Sequence, residues 1–250
     1  MRRTTVLAGW SFLAIAASAL AAPVKTQDVT IPSGSETIAG YLATPDSPGQ
    51  HPAVLVLHED WGLTDWVREQ TRKLAGQGYV ALALDLYRGQ VAHDPALAYE
   101  LMISTPPARA LRDMEAGIHS LAARADVNKE KIGSIGWSGG GKWSLLLAVN
   151  DPLLAACVLN YGEMPTDPAD IQKIHAPVLA IFAGDDRYIS ASDVRDFESA
   201  MESAHKSIVV KIYPGAGPGF ENSDNKLGYR ETAAADAWRR TVAFLDQNLK

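Results

Sequence analysis

The chain has 250 residues, 47% of them hydrophobic and 21% charged, with a formal net charge of −6. That length and apolar content suit an α/β domain able to bury a substantial core. So acidic a balance leaves no basic stripe for nucleic acid, and no nucleic-acid partner is expected.

The first 21 residues read as a secretory signal peptide. Arg2 and Arg3 give a basic start, Val6 to Leu20 is apolar, and Ala19-Leu20-Ala21 places small residues at cleavage-site spacing. Cleavage is expected after Ala21, because Pro23 disfavours a cut directly before it. The apolar run is too short and wrongly flanked for a membrane span, and no Cys follows the cleavage site to carry a lipid anchor. Removing this segment takes two positive charges with it and moves the formal balance from −6 to −8. The expectation is a soluble exported protein, periplasmic or secreted, without stable membrane insertion. Residues 22–250 are expected to form one domain. The lone Cys157 cannot form an intrachain disulfide and reads as a core residue of the apolar run Leu153 to Leu159.

Gln27 to Ile31 and Glu36 to Thr44 alternate as half-buried strands about the turn Pro32-Ser33-Gly34, the pattern of an antiparallel edge hairpin. Ala53 to His58 is continuously apolar, as a strand covered on both faces would be. Thr64 can cap a helix from Asp65 to Ala75, and Tyr79 to Asp85 is the next buried strand. Two helical stretches follow, Pro95 to Ile103 and Pro107 to Ala123. Lys131 to Trp137 is a strand and Lys142 to Val149 a run of helix formers. Leu154 to Asn160, Pro177 to Ala183 and Ile208 to Tyr213 are further strands. Ser192 to Ser203 is a helix, and Tyr229 to Leu249 closes the chain as a long amphipathic one. Strands alternating with helices imply a mostly parallel sheet with helices on both faces.

Between the strand ending at Trp137 and the helix after it lies Gly136-Trp137-Ser138-Gly139-Gly140, a match to G-x-S-x-G. At a strand–helix junction this is a nucleophile elbow: a strained turn that lifts a serine hydroxyl above the sheet, with N–H groups at a helix N-terminus beside it. Gly136 to Lys142 also reads G-x-x-x-x-G-K. A phosphate-binding loop needs Ser or Thr next, and Trp143 stands there instead.

Sites in parallel sheets lie outside the carboxyl ends of the strands. That edge receives His58-Glu59-Asp60-Trp61-Gly62, then Asp85, Tyr87 and Arg88, then Gly184-Asp185-Asp186, then Pro214 to Phe220. With these pieces in view, HEDWG at 58–62, DLY at 85–87, GWSGGGKWS at 136–144, GDDRYIS at 184–190 and YPGAGPGF at 213–220, the sequence resembles the dienelactone hydrolase family of α/β-hydrolases. The resemblance covers nearly all of residues 28–248. It implies an α/β-hydrolase fold and a small ester or lactone as substrate.

Carried over by position, the resemblance makes Ser138 the nucleophile, where the family usually has Cys, and Asp186 the triad acid. Glu59 becomes the glutamate that pairs with the resting nucleophile, and the backbone N–H groups of Gly139 and Asp60 become the oxyanion donors. The histidine position carries Pro218, which has no nitrogen to take a proton. The two arginines that hold a substrate carboxylate in the family are replaced: Gly89 stands at one position, beside Arg88, and Asn222 at the other. A carboxylated dienelactone is therefore not the expected substrate. His58 is the candidate substitute base, set against a structural role for the same residue. No cofactor or metal is expected, because the neighbours His58, Glu59 and Asp60 point to opposite faces of a strand. Trp61, Trp66, Trp137 and Trp143 could line an acyl pocket or pack in the core. The alternative function is a catalytically silent hydrolase fold that binds a small ligand or a partner.

Overall fold

In the computed structural model, which describes residues 23–250, the chain runs through fifteen elements. These are β1 (Val24–Ser33), β2 (Glu36–Pro45), β3 (His51–Leu57), α1 (Asp65–Gly76), β4 (Val80–Leu84), α2 (Pro95–Ile103), α3 (Pro107–Ala122) and β5 (Val127–Trp137). Then follow α4 (Gly139–Asn150), β6 (Ala156–Asn160), α5 (Pro168–Lys173), β7 (Val178–Ala183), α6 (Ala191–Ser203), β8 (Ile208–Tyr213) and α7 (Glu231–Leu249). The expected signal peptide lies outside the described residues. Among the described residues no helix is long and apolar enough to cross a membrane.

The strands form one sheet in the order β1-β2-β4-β3-β5-β6-β7-β8. It is parallel from β4 to β8, while β2 runs antiparallel to both β1 and β4. Every residue of β4, β6 and β7 is buried, which requires cover on both faces. The close contacts of two helices show that cover. A Cβ on Gly117 of α3 would meet the Leu55 side chain at 2.8 Å, and one on Gly133 of β5 would meet Leu249 of α7 at 3.2 Å. Val54, not Leu55, is the registered partner of Gly133, so α3 and α7 lie on opposite faces. Along α7, Ala237, Thr241, Leu245 and Leu249 recur every fourth residue as one buried stripe. Each fully buried Val, Leu or Ile in such a core contributes about 1.5–3 kcal/mol. Cys157 is buried there as a free thiol, and burial pushes its pKa up to about 11.

The expected order of strands and helices is present, with local differences. β1 starts at Val24 and β5 at Val127, earlier than their apolar patterns suggest. Helix α5 falls in the stretch between the strands ending at Asn160 and starting at Pro177, to which the sequence pattern assigned no element. Its signal was Asp167-Pro168: the Asp167 carboxylate accepts from Ala169 N at 2.8 Å and Pro168 occupies the first turn. Helix α4 begins at Gly139, directly after Ser138, rather than at Lys142.

The sheet order places the site. The chain leaves β3 for β4 on one side and later returns to lay β5 on the other. A crevice opens at such a switch point, outside the carboxyl ends of the two diverging strands. The residues after β3 and after β5 therefore face each other across it.

On another part of the surface, Asp113 of α3 is fully buried. Ser33 Oγ donates to its Oδ1 at 2.5 Å, and Arg88 Nη2 lies 2.7 Å from its Oδ2. Arg88 and Arg112 also meet Glu36. Removing one member of a buried ion pair strands the other charge. Asp113→Ala is expected to lower the unfolding free energy by about 3–5 kcal/mol in urea titration.

Candidate active site

Ser138 adopts φ 52° and ψ −120°, a conformation costly for any residue with a Cβ. The surroundings impose it. A Cβ on Gly136 would lie 1.9 Å from the Gly140 carbonyl oxygen, and one on Gly140 would lie 2.2 Å from that of Leu57. Only glycine lets the start of α4 press so closely on the ends of β3 and β5. Backbone bonds then lock the turn: Ser138 N donates to Asn160 O at 2.9 Å, and Lys142 N to Ser138 O at 3.1 Å. The buried Asn160 amide adds a bond to Gly136 O at 3.0 Å. Ser138 stays partly exposed beside the first turn of α4, whose leading N–H groups have no intrahelical acceptors.

The hydroxyl opens into a cleft of about 590 Å³. One wall is the segment after β3, with Glu59, Asp60, Trp61 and Thr64. The opposite wall is the loop between β8 and α7, with Pro218, Asn222, Asp224, Lys226 and Leu227. No histidine lines this cleft. Of the four tryptophans considered for an acyl pocket, Trp61 alone lines it. Trp66 and Trp137 pack edge-on at 5.0 Å inside the protein, and Trp143 is buried.

The Ser138 hydroxyl donates to Asp60 Oδ2 at 2.7 Å. This corrects the expectation that Glu59 would pair with the Ser138 hydroxyl: the side chain of Asp60 does so instead. Glu59 turns the other way and is almost wholly buried. Its Oε2 accepts from Asn222 Nδ2 at 2.6 Å and its Oε1 from Tyr161 OH at 3.4 Å. Adjacent residues leaving a strand point to different sides, so only one of the two acids can reach Oγ. The sequence carried a signal for Asp60, an ionisable side chain directly after the strand beside the elbow strand.

His58 is buried and both ring nitrogens are occupied. Nδ1 lies 2.6 Å from Glu59 O, and Nε2 accepts from Leu86 N at 3.2 Å. Burial lowers its pKa, so it is held as a neutral crosslink between the ends of β3 and β4. Neither nitrogen is available to Ser138, which sets aside its candidacy as the substitute base. Asp186 follows β7 on the expected edge. Its Oδ1 accepts from Tyr188 N at 2.7 Å and Ile189 N at 3.2 Å, closing its own loop, and it does not line the cleft. Among the described residues no group of three or more His, Cys, Asp or Glu side chains is arranged to hold a metal ion.

Sequence reasoning missed Glu221. Trp137 Nε1 donates to its Oε2 at 3.4 Å, and its Oε1 is buried without a partner among the described residues. Burial, opposed by the Trp137 bond and reinforced by Glu59, pushes its pKa up to about 8. Burial likewise pushes Glu59 up to about 7, with Asn222 and Tyr161 opposing and Asp60 reinforcing. Both carboxyls are thus held largely in their protonated forms below neutrality. No residue near Glu221 in sequence marked its carboxyl as one to be desolvated.

A strained serine above the carboxyl edge, at the switch point of a largely parallel sheet, defines the class: this is an α/β-hydrolase. The dienelactone hydrolase family profile matches residues 38–249, and the chain belongs to that family. A Salmonella typhi protein provisionally named carboxymethylenebutenolidase is 32% identical over 233 residues, covering 87% of this chain and 86% of its own. An Escherichia coli K12 protein of the same provisional name is 31% identical over 260 residues, covering 95% of each chain. A crystal structure provisionally named dienelactone hydrolase, from Klebsiella pneumoniae, superposes with a TM-score of 0.83 at 29% identity. It covers 90% of this chain and 99% of its own.

The raised carboxyl pKa values have a signed consequence for stability. In the unfolded chain both groups ionise near 4.5, and in the folded protein near 7 and 8. Below about pH 4.5 both states hold the protons. As pH rises beyond that, the unfolded state ionises first, so this contribution is lost progressively up to about pH 8. Glu221→Gln is expected to melt at least about 2 °C above the parent at pH 9. The difference should shrink towards pH 4.5 when both are followed by thermal denaturation.

Proposed function

We propose that the protein is an exported serine hydrolase that cleaves a small ester or lactone through an acyl intermediate on Ser138. The observation that carries this reading is the strained Ser138 at φ 52°, with its hydroxyl lining an open cleft at the start of α4. A hydroxyl so placed can attack a carbonyl carbon while the leading N–H groups of α4, Gly139 first, receive the developing oxyanion. The backbone N–H of Asp60 is the second donor in this reading. The basic, apolar and small-residue segments within residues 1–21 support export, with cleavage after Ala21. Recovery of chains starting at Ala22 from the periplasmic fraction would test that part.

A fluorophosphonate probe is expected to label Ser138, and Ser138→Ala to lose about 10³-fold or more of the hydrolysis of p-nitrophenyl acetate. Pro218 at the cleft wall, with no histidine in the lining, favours one second reading: a silent hydrolase fold that binds a small molecule. Absence of labelling on the folded protein, with unchanged hydrolysis in Ser138→Ala, would select that reading.

The charge of the cleft narrows the substrate. Among the described residues, Asp60 and Asp224 line it against one cation, Lys226, while burial shifts Glu59 towards its neutral form. Arg88, the nearest arginine in sequence to the family's carboxylate-gripping position, is bound to Asp113 and Glu36. The proposed substrate is therefore an uncharged ester or lactone. We expect kcat/KM for p-nitrophenyl butyrate to exceed that for its anionic counterpart, p-nitrophenyl hemisuccinate, by about tenfold, some 1.4 kcal/mol. The gap should narrow as ionic strength rises.

A further inference from the structure

We propose that Asp60 is the catalytic base of Ser138, occupying chemically the place left without an imidazole. This inference rests on the reading of Ser138 as the nucleophile. It is motivated first by contact: Asp60 Oδ2 accepts the Oγ proton at 2.7 Å in the resting protein. It is motivated second by exclusion, since no histidine lines the cleft and both nitrogens of His58 are occupied. Third, Asp60 Oδ1 is buried without a hydrogen-bond partner. It sits over the elbow, where a Cβ on Gly139 would approach it to 2.3 Å. With no other donor on this carboxyl among the described residues, its bond to Oγ has no competitor.

The proton balance closes within this pair. As Oγ bonds to the ester carbon, its proton passes to Asp60 and the carbonyl electron pair becomes the oxyanion. Collapse of that intermediate breaks the bond to the leaving oxygen, which takes the proton from Asp60 and departs as the alcohol. Water then gives a proton to Asp60 while its oxygen attacks the acyl carbon. The second collapse returns the proton to Oγ and releases the acid. Carboxylates are weaker bases than imidazole, so a slower enzyme than one with histidine is expected. Asp60 touches the reacting oxygen and is a catalytic residue in this scheme. Glu59, which turns away to Asn222 and Tyr161, is not.

The test is Asp60→Asn, which preserves the shape and can still accept from Oγ but cannot carry a proton. Its kcat on p-nitrophenyl acetate is expected to fall about 10²-fold or more, with KM little changed. In Asp60→Ala, added formate should restore part of the activity in proportion to its concentration, and should do nothing for Ser138→Ala. Asp60→Asn activity within about threefold of the parent would overturn the proposal, as would Asp60→Ala that folds but ignores formate. An increase in activity would also overturn it, showing instead that the carboxylate obstructs the oxyanion site. If Ser138→Ala keeps full hydrolysis, the nucleophile reading itself fails, an outcome distinct from an Asp60 variant that remains active while Ser138→Ala is dead. Circular dichroism of each variant separates loss of chemistry from loss of fold. Should Asp60→Asn not fold, the formate response of Asp60→Ala decides.

Discussion

The close approach of the Gly140 backbone to the Leu57 carbonyl is the constraint on which the site depends. It draws the first turn of α4 into the angle between the ends of β3 and β5, with no room for a side chain at 140 or at 136. A chain leaving β5 and entering α4 over so short a path must turn at Ser138, which is forced to φ 52°. Such a conformation costs on the order of 1–3 kcal/mol. The buried strands beneath it, and the bonds from Ser138 and Asn160 across the turn, hold it in place. One steric fact thereby lifts a hydroxyl out of the sheet, aims it across the crevice and sets it beside unpaired N–H groups.

The protein meets the cost of buried carboxylates in two ways. Around Asp113 the charge is kept and paired, with Arg88 and Ser33 supplying partners at short range. At the cleft the lining cation Lys226 bonds to Ser223 O rather than to either glutamate. Glu59 and Glu221 lean on neutral donors, the Asn222 amide, the Tyr161 hydroxyl and the Trp137 indole. Desolvation then outweighs those bonds and shifts both groups towards the neutral acid. Asp60 differs from both, because its partner is the Ser138 hydroxyl. The two acids that line the cleft after β3 are thus divided by geometry, Asp60 directed at Oγ and Glu59 held back as a buried acid.

Membership of the dienelactone hydrolase family explains the elbow and the sheet. It does not explain Pro218, nor why Asp186 folds its carboxylate into its own turn. Asp186 is held by the N–H groups of its own loop, and Pro218 brings no titratable group to the cleft wall. His58 is buried with both nitrogens spent, Nδ1 on the carbonyl of Glu59 and Nε2 on Leu86 N across to the end of β4.

Apolar runs and glycine positions in the sequence determined the sheet, its helices and the elbow, because strand burial and steric exclusion at Gly136 and Gly140 depend on residue type along the chain. Order along the chain also brought residues 58–62, 138 and 214–220 to one edge, since a parallel sheet puts every strand's exit on the same side. The short helix α5 escaped notice although Asp167-Pro168 marked its start, because six residues carry too little periodicity to read. Only the tertiary structure decided which acid touches Oγ, that the carboxyl oxygen Oε1 of Glu221 is buried, and that His58 and Asp186 are spent elsewhere. Those outcomes turn on side-chain direction and on partners, Asn222 and Tyr161 among them, that lie far off in sequence and meet the site only once the chain has folded.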